Sequence, residues 1–298
     1  MGFDKDVRKH LGDDVADYVA RKNRGGASGK KGARYEDFFT AYRVAVELNS
    51  FLCTGVETPT FTQQGEAFVD DLIVCWTSAV IHYQCKNATQ VKWASGDHPI
   101  ADDFSLQVRF CKAMHQTEPK TILVVACESL EADLRNAMPS GIAEHSAVEF
   151  FPYCEGSLNR LVLECEKLRE SLKGLARVST PSDDELANVL GGLVIALIAG
   201  NAVESGETLA IRAQAQSPHL IRLLPAQKAK MRIEANFTGV LDGIQGLEYG
   251  MDRGFFFWKA FGIDGVLPYS CISPEFAKFQ KRVITSAPST AEEFEVLT

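Results

Sequence analysis

The sequence predicts an α/β protein in which a mixed sheet flanked by helices forms the first half and a mostly helical region follows. Up to about residue 155, short apolar runs of strand length alternate with amphipathic helical stretches. One of these runs, "KTILVVACES", is almost wholly apolar, which is typical of a strand covered on both faces. After residue 155 the apolar spacing becomes helical, as in "SLNRLVLECEKLRESLKGL".

The elements of the first half follow in a definite order. A short amphipathic helix is predicted near residues 7–20, and a longer one in "RYEDFFTAYRVAVELNSFL". "GVETPTFTQQG" indicates a weak strand, and "EAFVDDLIVCW" and "AVIHYQCKNA" indicate two strands joined as a hairpin by "TS". A helix is expected from about Ile100 to Met114, followed by strands in "KTILVVACES" and "AVEFFPY".

The change of pattern predicts two domains, an α/β domain of residues 1–155 with a basic N-terminal arm and a mostly helical region of residues 156–298 for assembly or regulation. In the second region, Ser182 and Glu185 have the spacing of a helix capping box. The aromatic stretch "RGFFFWKAFG" is interpreted as core or interface packing in this helical region, in preference to a base-stacking surface.

Composition indicates a cytoplasmic globular protein. Of its 298 residues, 46% are hydrophobic and 23% charged, and the charged N-terminus lacks the apolar stretch of a secretory signal. The eight cysteines occur singly, without CxxC pairs, which favours reduced thiols over disulfides or zinc. The uncharged run between Glu185 and Glu204 contains two asparagines and three glycines, so we predict a buried helix and no membrane insertion.

A basic segment stands out against the net charge of −8. "RKNRGGASGKKGAR", residues 21–34, holds six Lys or Arg, four glycines and no acid, as expected of a mobile arm that contacts phosphates. A solvated linker is the alternative interpretation. The predicted phosphate contacts are Arg24, Lys30, Lys31 and Arg34.

The stretch "IHYQCKNA" places polar groups at alternate positions of a predicted strand. His82, Gln84 and Lys86 therefore share one face, and a buried ammonium there needs an anionic partner. His82 is interpreted as a buried, hydrogen-bonded histidine in preference to a substrate contact.

Acidic residues of neighbouring elements can supply that partner. Asp70 and Asp71 open the preceding strand of the hairpin, and Glu36 lies on the preceding helix. Two carboxylates and an amide oxygen form a hard oxygen site that suits Mg²⁺. A lysine beside it can orient a metal-bound water and offset negative charge on a phosphate. A structural salt bridge at the end of the sheet is the alternative.

This set of residues resembles the PD-(D/E)xK nuclease motif in its QxK form, and the element order is similar to a restriction-endonuclease-like fold. More narrowly, "GARYEDFFTAYRVAVEL", "VDDLIV" and "HYQCKN" resemble the double-stranded DNA endonuclease domain of bacterial antiphage (CBASS-type) effectors and Mrr-like restriction enzymes. The resemblance covers roughly the first half of the chain.

The resemblance implies roles for individual residues. Asp71 would be the central metal ligand, Gln84 would add its side-chain oxygen, and Lys86 would be the catalytic lysine. Glu36 would be the acid on the helix and a further metal ligand. The family's "PD" is "DD" here, so Asp70 stays an alternative to Asp71. Gln in place of Glu removes one negative charge and lowers the expected affinity for metal.

The resemblance also implies a function. We expect a Mg²⁺-dependent endonuclease, with Mn²⁺ able to substitute, that hydrolyses double-stranded DNA in antiphage defence. The expected partners are further copies of the chain and an ATPase or sensor protein. The alternative is a catalytically silent subunit with a nuclease fold that assembles with such a partner. The sequence leaves open whether DNA or RNA is cut.

Overall fold

The computed structural model describes residues 3–25, 30–96, 98–116, 118–154 and 157–298. The helices are α1 (Phe3–Leu11), α2 (Asp13–Gly25), α3 (Lys30–Thr54), α4 (Ile100–Ala113), α5 (Glu128–Asn136), α6 (Leu158–Glu164), α7 (Glu166–Leu175), α8 (Asp183–Ile198), α9 (Gly206–Gln216), α10 (Pro225–Lys228), α11 (Ala235–Asp242), α12 (Pro274–Ser286) and α13 (Ala291–Glu295). The strands are β1 (Thr60–Gln63), β2 (Leu72–Cys75), β3 (Val80–Lys86), β4 (Pro119–Val125), β5 (Ser146–Phe150), β6 (Val203–Ser205), β7 (Leu247–Asp252), β8 (Phe255–Ala260) and β9 (Ile263–Ser270).

Six strands form a mixed sheet in the order β5-β4-β3-β2-β1-β6. β1, β2 and β3 are antiparallel neighbours, and β3, β4 and β5 run parallel, joined through α4 and α5. The predicted hairpin is present, with Leu72 paired to Tyr83 and Cys75 to Val80. The mixed α/β class predicted from the sequence is therefore confirmed.

Helices cover both faces of this sheet. Alternation along β3 directs Tyr83 and Cys85 into the core against α3, where Phe39 packs on the Tyr83 ring at 5.2 Å between centroids. On the opposite face, Phe104 of α4 and Leu134 of α5 pack against the parallel strands. α3 is long and buried along much of its length, which fixes the positions of its buried side chains.

The core on the α3 side extends past the predicted domain boundary. α7, α8 and α9 pack against α3, and β6 adds a strand next to β1. At Gly174 of α7 an added Cβ would lie 1.8 Å from Oδ1 of Asn49, so α7 and α3 approach closely. The boundary expected near residue 155 falls at residues 155 and 156, which lie outside the described residues.

The region after residue 156 contains more strand than the sequence predicted. β7, β8 and β9 form a separate antiparallel sheet, packed against α11, α12 and α13. The stretch "RGFFFWKAFG", expected within a helical region, forms β8. Phe256 and Trp258 are buried against the helices while Phe257 is 38% exposed, so the stretch has the two-residue alternation of a strand. Three adjacent phenylalanines hide that alternation in the sequence.

Other elements differ from their predictions in detail. The helix expected between residues 157 and 175 is divided into α6 and α7, because Cys165 between them has an extended backbone (φ −114°, ψ 90°). α5 was not predicted; it buries only Leu134, too little for an apolar stripe. The predicted capping box of Ser182 and Glu185 is present.

All eight cysteines are free thiols. Within the described residues no helix is both long and apolar enough to cross a membrane.

Candidate active site

Asp71 and Gln84 lie side by side at one end of the sheet. Asp71 immediately precedes β2, and the antiparallel register places it opposite Gln84 of β3. The Gln84 carboxamide donates a hydrogen bond to Oδ2 of Asp71, and the backbone N–H of Cys85 donates to the same oxygen at 2.7 Å. Asp71 is only 8% exposed and Gln84 5%. The carboxylate of Asp71 is therefore held in place by two donors from β3.

Asp70 is placed differently from its neighbour. It is less buried than Asp71, and its backbone carbonyl accepts a hydrogen bond from the N–H of Gly65 at 3.0 Å. Of the two aspartates, Asp71 is the one whose carboxylate contacts Gln84.

Glu36 approaches this pair from α3. Burial is the main cause that raises the pKa of Glu36 to about 7, and the nearby charge of Asp71 raises it further. Lys86 has the opposite effect and lowers the pKa of Glu36. Glu36 therefore lies within electrostatic range of both residues, and near neutral pH it is divided between its protonated and ionised forms.

Gln64 also holds Glu36, and the sequence did not suggest this contact. Its Nε2 donates to Oε2 of Glu36 at 2.6 Å. Gln64 lies just after β1 and has a positive φ of 49°, an uncommon conformation for a glutamine. The only signal in the sequence is its position immediately before Gly65 in a turn, which does not identify a partner for its side chain.

Lys86 ends β3, two residues beyond Gln84 on the same side of the strand. It is partly buried, unlike Lys120, which is exposed near the start of the neighbouring strand β4. Parallel pairing of Lys86 with Val125 places it at the carboxyl end of β4, the opposite end from Lys120.

His82 is buried and hydrogen-bonded through both ring nitrogens. Its Nδ1 lies 3.1 Å from the backbone oxygen of Val69, and its Nε2 lies 3.2 Å from Nε2 of Gln107 on α4. Gln107 Oε1 in turn accepts from the backbone N–H groups of Phe68 and Val69. Burial lowers the pKa of His82 to about 4, so the ring is neutral at pH 7. This network fixes the segment that leads into Asp70.

The side chains at this end of the sheet offer oxygen donors to a hard cation. Within the part of the chain that the structure describes, no cluster of three His, Cys, Asp or Glu residues could hold a metal. The donor set of Asp71, Glu36 and Gln84 has only two acids, and Gln84 presents its NH₂ to Asp71. Its oxygen would face a cation after the carboxamide rotates. The charge of Asp71 raises the pKa of Glu36, and a divalent cation would relieve this repulsion, so the residues fit one.

The basic segment differs from the mobile arm expected from the sequence. α2 continues to Gly25 and α3 begins at Lys30, so most of residues 21–34 are helical, and residues 26–29 lie outside the description. The side chains of Arg24, Lys30 and Lys31 also lie outside it. Arg34 is exposed on α3, two residues before Glu36.

Comparisons with known proteins found no matching family model and no matching curated protein. Among solved structures, the chain is similar to the Cap4 SAVED/CARF-domain containing receptor of Acinetobacter baumannii, in structures without a named ligand and with the cyclic trinucleotides 2'3'3'-cAAA and 3'3'3'-cAAA. Identity is 12–14% and the TM-scores are 0.37 and 0.38. The match covers 64% of this chain and 47–49% of the receptor chain, so it spans about half the receptor's length. At these values the likeness establishes no function.

Proposed function

We propose that this protein is a metal-dependent endonuclease that hydrolyses DNA phosphodiester bonds. The observation that carries the proposal is the contact between Asp71 and Gln84, with Glu36 and Lys86 within electrostatic range of one another beside it. These are the residues of the QxK motif, contributed by α3, β2 and β3. The mixed sheet with α3 on one face supports a restriction-endonuclease-like fold for this part of the chain.

Each side chain has a task in this chemistry. Asp71 and the ionised form of Glu36 attract a cation, and the two hydrogen bonds to Asp71 keep its carboxylate in one orientation. When bound, Mg²⁺ or Mn²⁺ would supply Lewis-acid stabilisation of the phosphate and an activated water. Lys86 places a positive charge where the phosphodiester gains negative charge during attack.

An exposed arginine near the site suits a nucleic-acid backbone. Arg34 projects from the same helix as Glu36, within one turn of it. Such contacts to phosphate oxygens would position a strand without reading its sequence.

Cleavage of supercoiled plasmid with Mg²⁺ or Mn²⁺, with and without EDTA, tests the proposal. Lys86→Ala and Asp71→Asn are expected to lower the rate at least about 10²-fold, because each removes a charge that acts on the reacting phosphate or its metal. Lys120→Ala is the matched control, since it removes an exposed lysine at the other end of a neighbouring strand. Its rate should equal that of the wild type.

Equal rates for Lys86→Ala and wild type would refute the proposed role of the lysine. A parallel set of linear duplex, single-stranded DNA and RNA substrates identifies the nucleic acid that is cut. Faster cleavage of RNA than of every DNA form would contradict the choice of DNA.

A second candidate function is that of an assembly subunit with a silent nuclease fold. Exposed isoleucines favour it: Ile195 and Ile198 on α8 are 51% and 69% exposed, and Ile211 on the adjacent α9 is 49% exposed. Wild-type protein that never nicks DNA, alone or with its partner, would support this function.

An antiphage role, with an ATPase or sensor as partner, rests on the sequence resemblance and is tested by phage challenge of cells expressing wild type or Lys86→Ala.

A further inference from the structure

A cleft far along the chain from the candidate active site has the features of a ligand site. It lies between the segment after α7 and the outer face of the β7-β8-β9 sheet, and its volume is about 390 Å³. Its polar lining consists of Arg177, Ser179, Thr180, Asp252 and Asp264, and its apolar lining of Val178, Phe255, Phe257 and Val266. Pockets for small ligands have this size and this mixture of apolar walls with few polar groups.

Arg177 is the unusual group in the cleft. Its backbone N–H is paired with the carbonyl of Leu220 at 2.9 Å, which fixes the position of the residue. Its side-chain Nε and Nη1 are buried and have no hydrogen-bond partner among the residues that the structure describes. A guanidinium with buried, unsatisfied donors is costly in a folded protein, and an anion in the cleft that Arg177 lines would offset its positive charge.

The surroundings of Arg177 add positive charge. Arg253, at the turn between β7 and β8, donates to the carbonyls of Lys173 and Ala176 at the end of α7. Burial and then Arg253 lower the pKa of Arg222, and burial and then Arg222 lower the pKa of Lys228. Arg222, Lys228 and Arg253 therefore lie within electrostatic range of one another, and Arg253 directly follows Asp252, a residue of the cleft lining.

The two aspartates offset part of this charge, since Asp252 raises the pKa of Arg222 and of Lys228. Asp252 lies 3.8 Å from Nε of Arg253, and Asp264 lies opposite Lys259 in the pairing of β8 with β9. Each acid thus has a basic residue next to it, whereas Nε and Nη1 of Arg177 have no hydrogen-bond partner within the described part of the chain. Both carboxylates can still accept hydrogen bonds from hydroxyl or amino groups of a ligand.

The outer face of β8 supplies an aromatic surface. Phe257 is 38% exposed, and its ring lies across Gly250 of β7, where an added Cβ would come within 2.8 Å of the ring. With no side chain at Gly250 to cover it, the ring can stack on a flat heterocycle. The cleft therefore contains a guanidinium, which can bind the phosphate of a nucleotide, and an exposed aromatic ring, which can stack on its base.

We propose that this cleft binds a nucleotide, with its phosphate on Arg177 and the hydroxyls of Ser179 and Thr180, its base on Phe257, and its sugar or amino groups on Asp252 and Asp264. The ligand is either a free nucleotide or the phosphorylated end of a short strand, which share this chemistry. The site goes beyond the proposed nuclease function and does not depend on it.

Binding is measured by calorimetry on the full chain in EDTA, so that cleavage plays no part. The probes are AMP, ATP, inorganic phosphate and a 5'-phosphorylated tetranucleotide. Arg177→Gln should weaken AMP and ATP at least tenfold, because it removes the charge that holds the phosphate. Phe257→Ala should weaken AMP several-fold and leave inorganic phosphate unchanged. Arg135→Gln, an exposed arginine on α5, is the control and should bind like wild type.

The outcome separates the two sources of ligand. Tighter binding of the tetranucleotide than of AMP assigns the cleft to strand ends, and the reverse assigns it to free nucleotides. Absence of binding for all four probes at millimolar concentration, or Arg177→Gln affinity equal to wild type with unchanged circular dichroism, overturns the proposal. Plasmid cleavage by Arg177→Gln is recorded separately, so failure of the nucleotide-site proposal can be distinguished from failure of the nuclease proposal.

Discussion

Replacement of Glu36 by glutamine should change how the stability of the protein depends on pH. Glutamine keeps the size and shape of the side chain but does not titrate. In the wild type, the pKa of Glu36 is raised from 4.5 to about 7, chiefly by burial and then by Asp71. The folded state therefore holds a proton that the unfolded state has already lost between these two values.

The sign and size of the effect follow from that difference. Because the folded pKa lies above the unfolded one, the contribution to stability is fully present below pH 4.5 and is lost as pH rises through 7. Because Glu36 is only partly buried, solvent screens part of the effect, and the loss by pH 8 should be about 1–2 kcal/mol. The wild type should lose this amount and Glu36→Gln should not.

Urea unfolding of both proteins at pH 5, 6, 7 and 8 measures the effect. Other titrating groups are common to the two proteins, so their contributions cancel in the difference between the two free energies of unfolding. That difference should move in favour of Glu36→Gln by about 1–2 kcal/mol between pH 5 and pH 8. A difference that stays constant with pH would show that Glu36 has an ordinary pKa and would refute this description of the site.

Three further predictions concern other parts of the molecule. Because burial lowers the pKa of His82 to about 4, the free energy of unfolding of the wild type should fall by up to about 3 kcal/mol as pH falls from 6.5 to 4. His82→Asn should not show this fall in urea unfolding, and equal pH profiles for the two proteins would contradict the prediction. Gly254→Ala should destabilise the protein by about 2–5 kcal/mol in the same assay, since φ is +92° and a Cβ would lie 2.4 Å from a leucine side chain. Gly262→Ala should cost only about 1–2 kcal/mol, because φ is +83° there but a Cβ would meet open space. Mn²⁺ affinity, followed by electron paramagnetic resonance, should weaken about tenfold per pH unit below pH 7 in wild type and stay flat in Glu36→Gln.

The sequence predicts the first-half fold well because local patterns there are strong. α4 is expected from about Ile100 to Met114 and runs from Ile100 to Ala113, and the hairpin of β2 and β3 is in the predicted place. Alternation along β3 also fixes which residues share a face, and so Gln84 and Lys86 lie on one side. These are short-range properties of the chain.

The parts that the sequence missed depend on contacts between distant segments. β6 contains three residues and exists as a strand because β1 offers it an edge. Gln64 acts on Glu36, 28 positions away, through a hydrogen bond that no local pattern encodes. The orphan nitrogens of Arg177 are recognisable only once β7, β8 and β9 are in place.

The charge balance at the candidate site explains why a glutamine can occupy the position of an acid there. Asp71 is buried next to Glu36, and the pKa of Glu36 already lies near 7. A third carboxylate in place of Gln84 would add like charge beside Glu36 and raise the pKa of Glu36 further. The carboxamide of Gln84 instead donates a hydrogen bond to the Asp71 carboxylate. We infer that Gln84 keeps the site ready to take up a cation near neutral pH, and that Gln84→Glu would shift metal binding and cleavage towards higher pH.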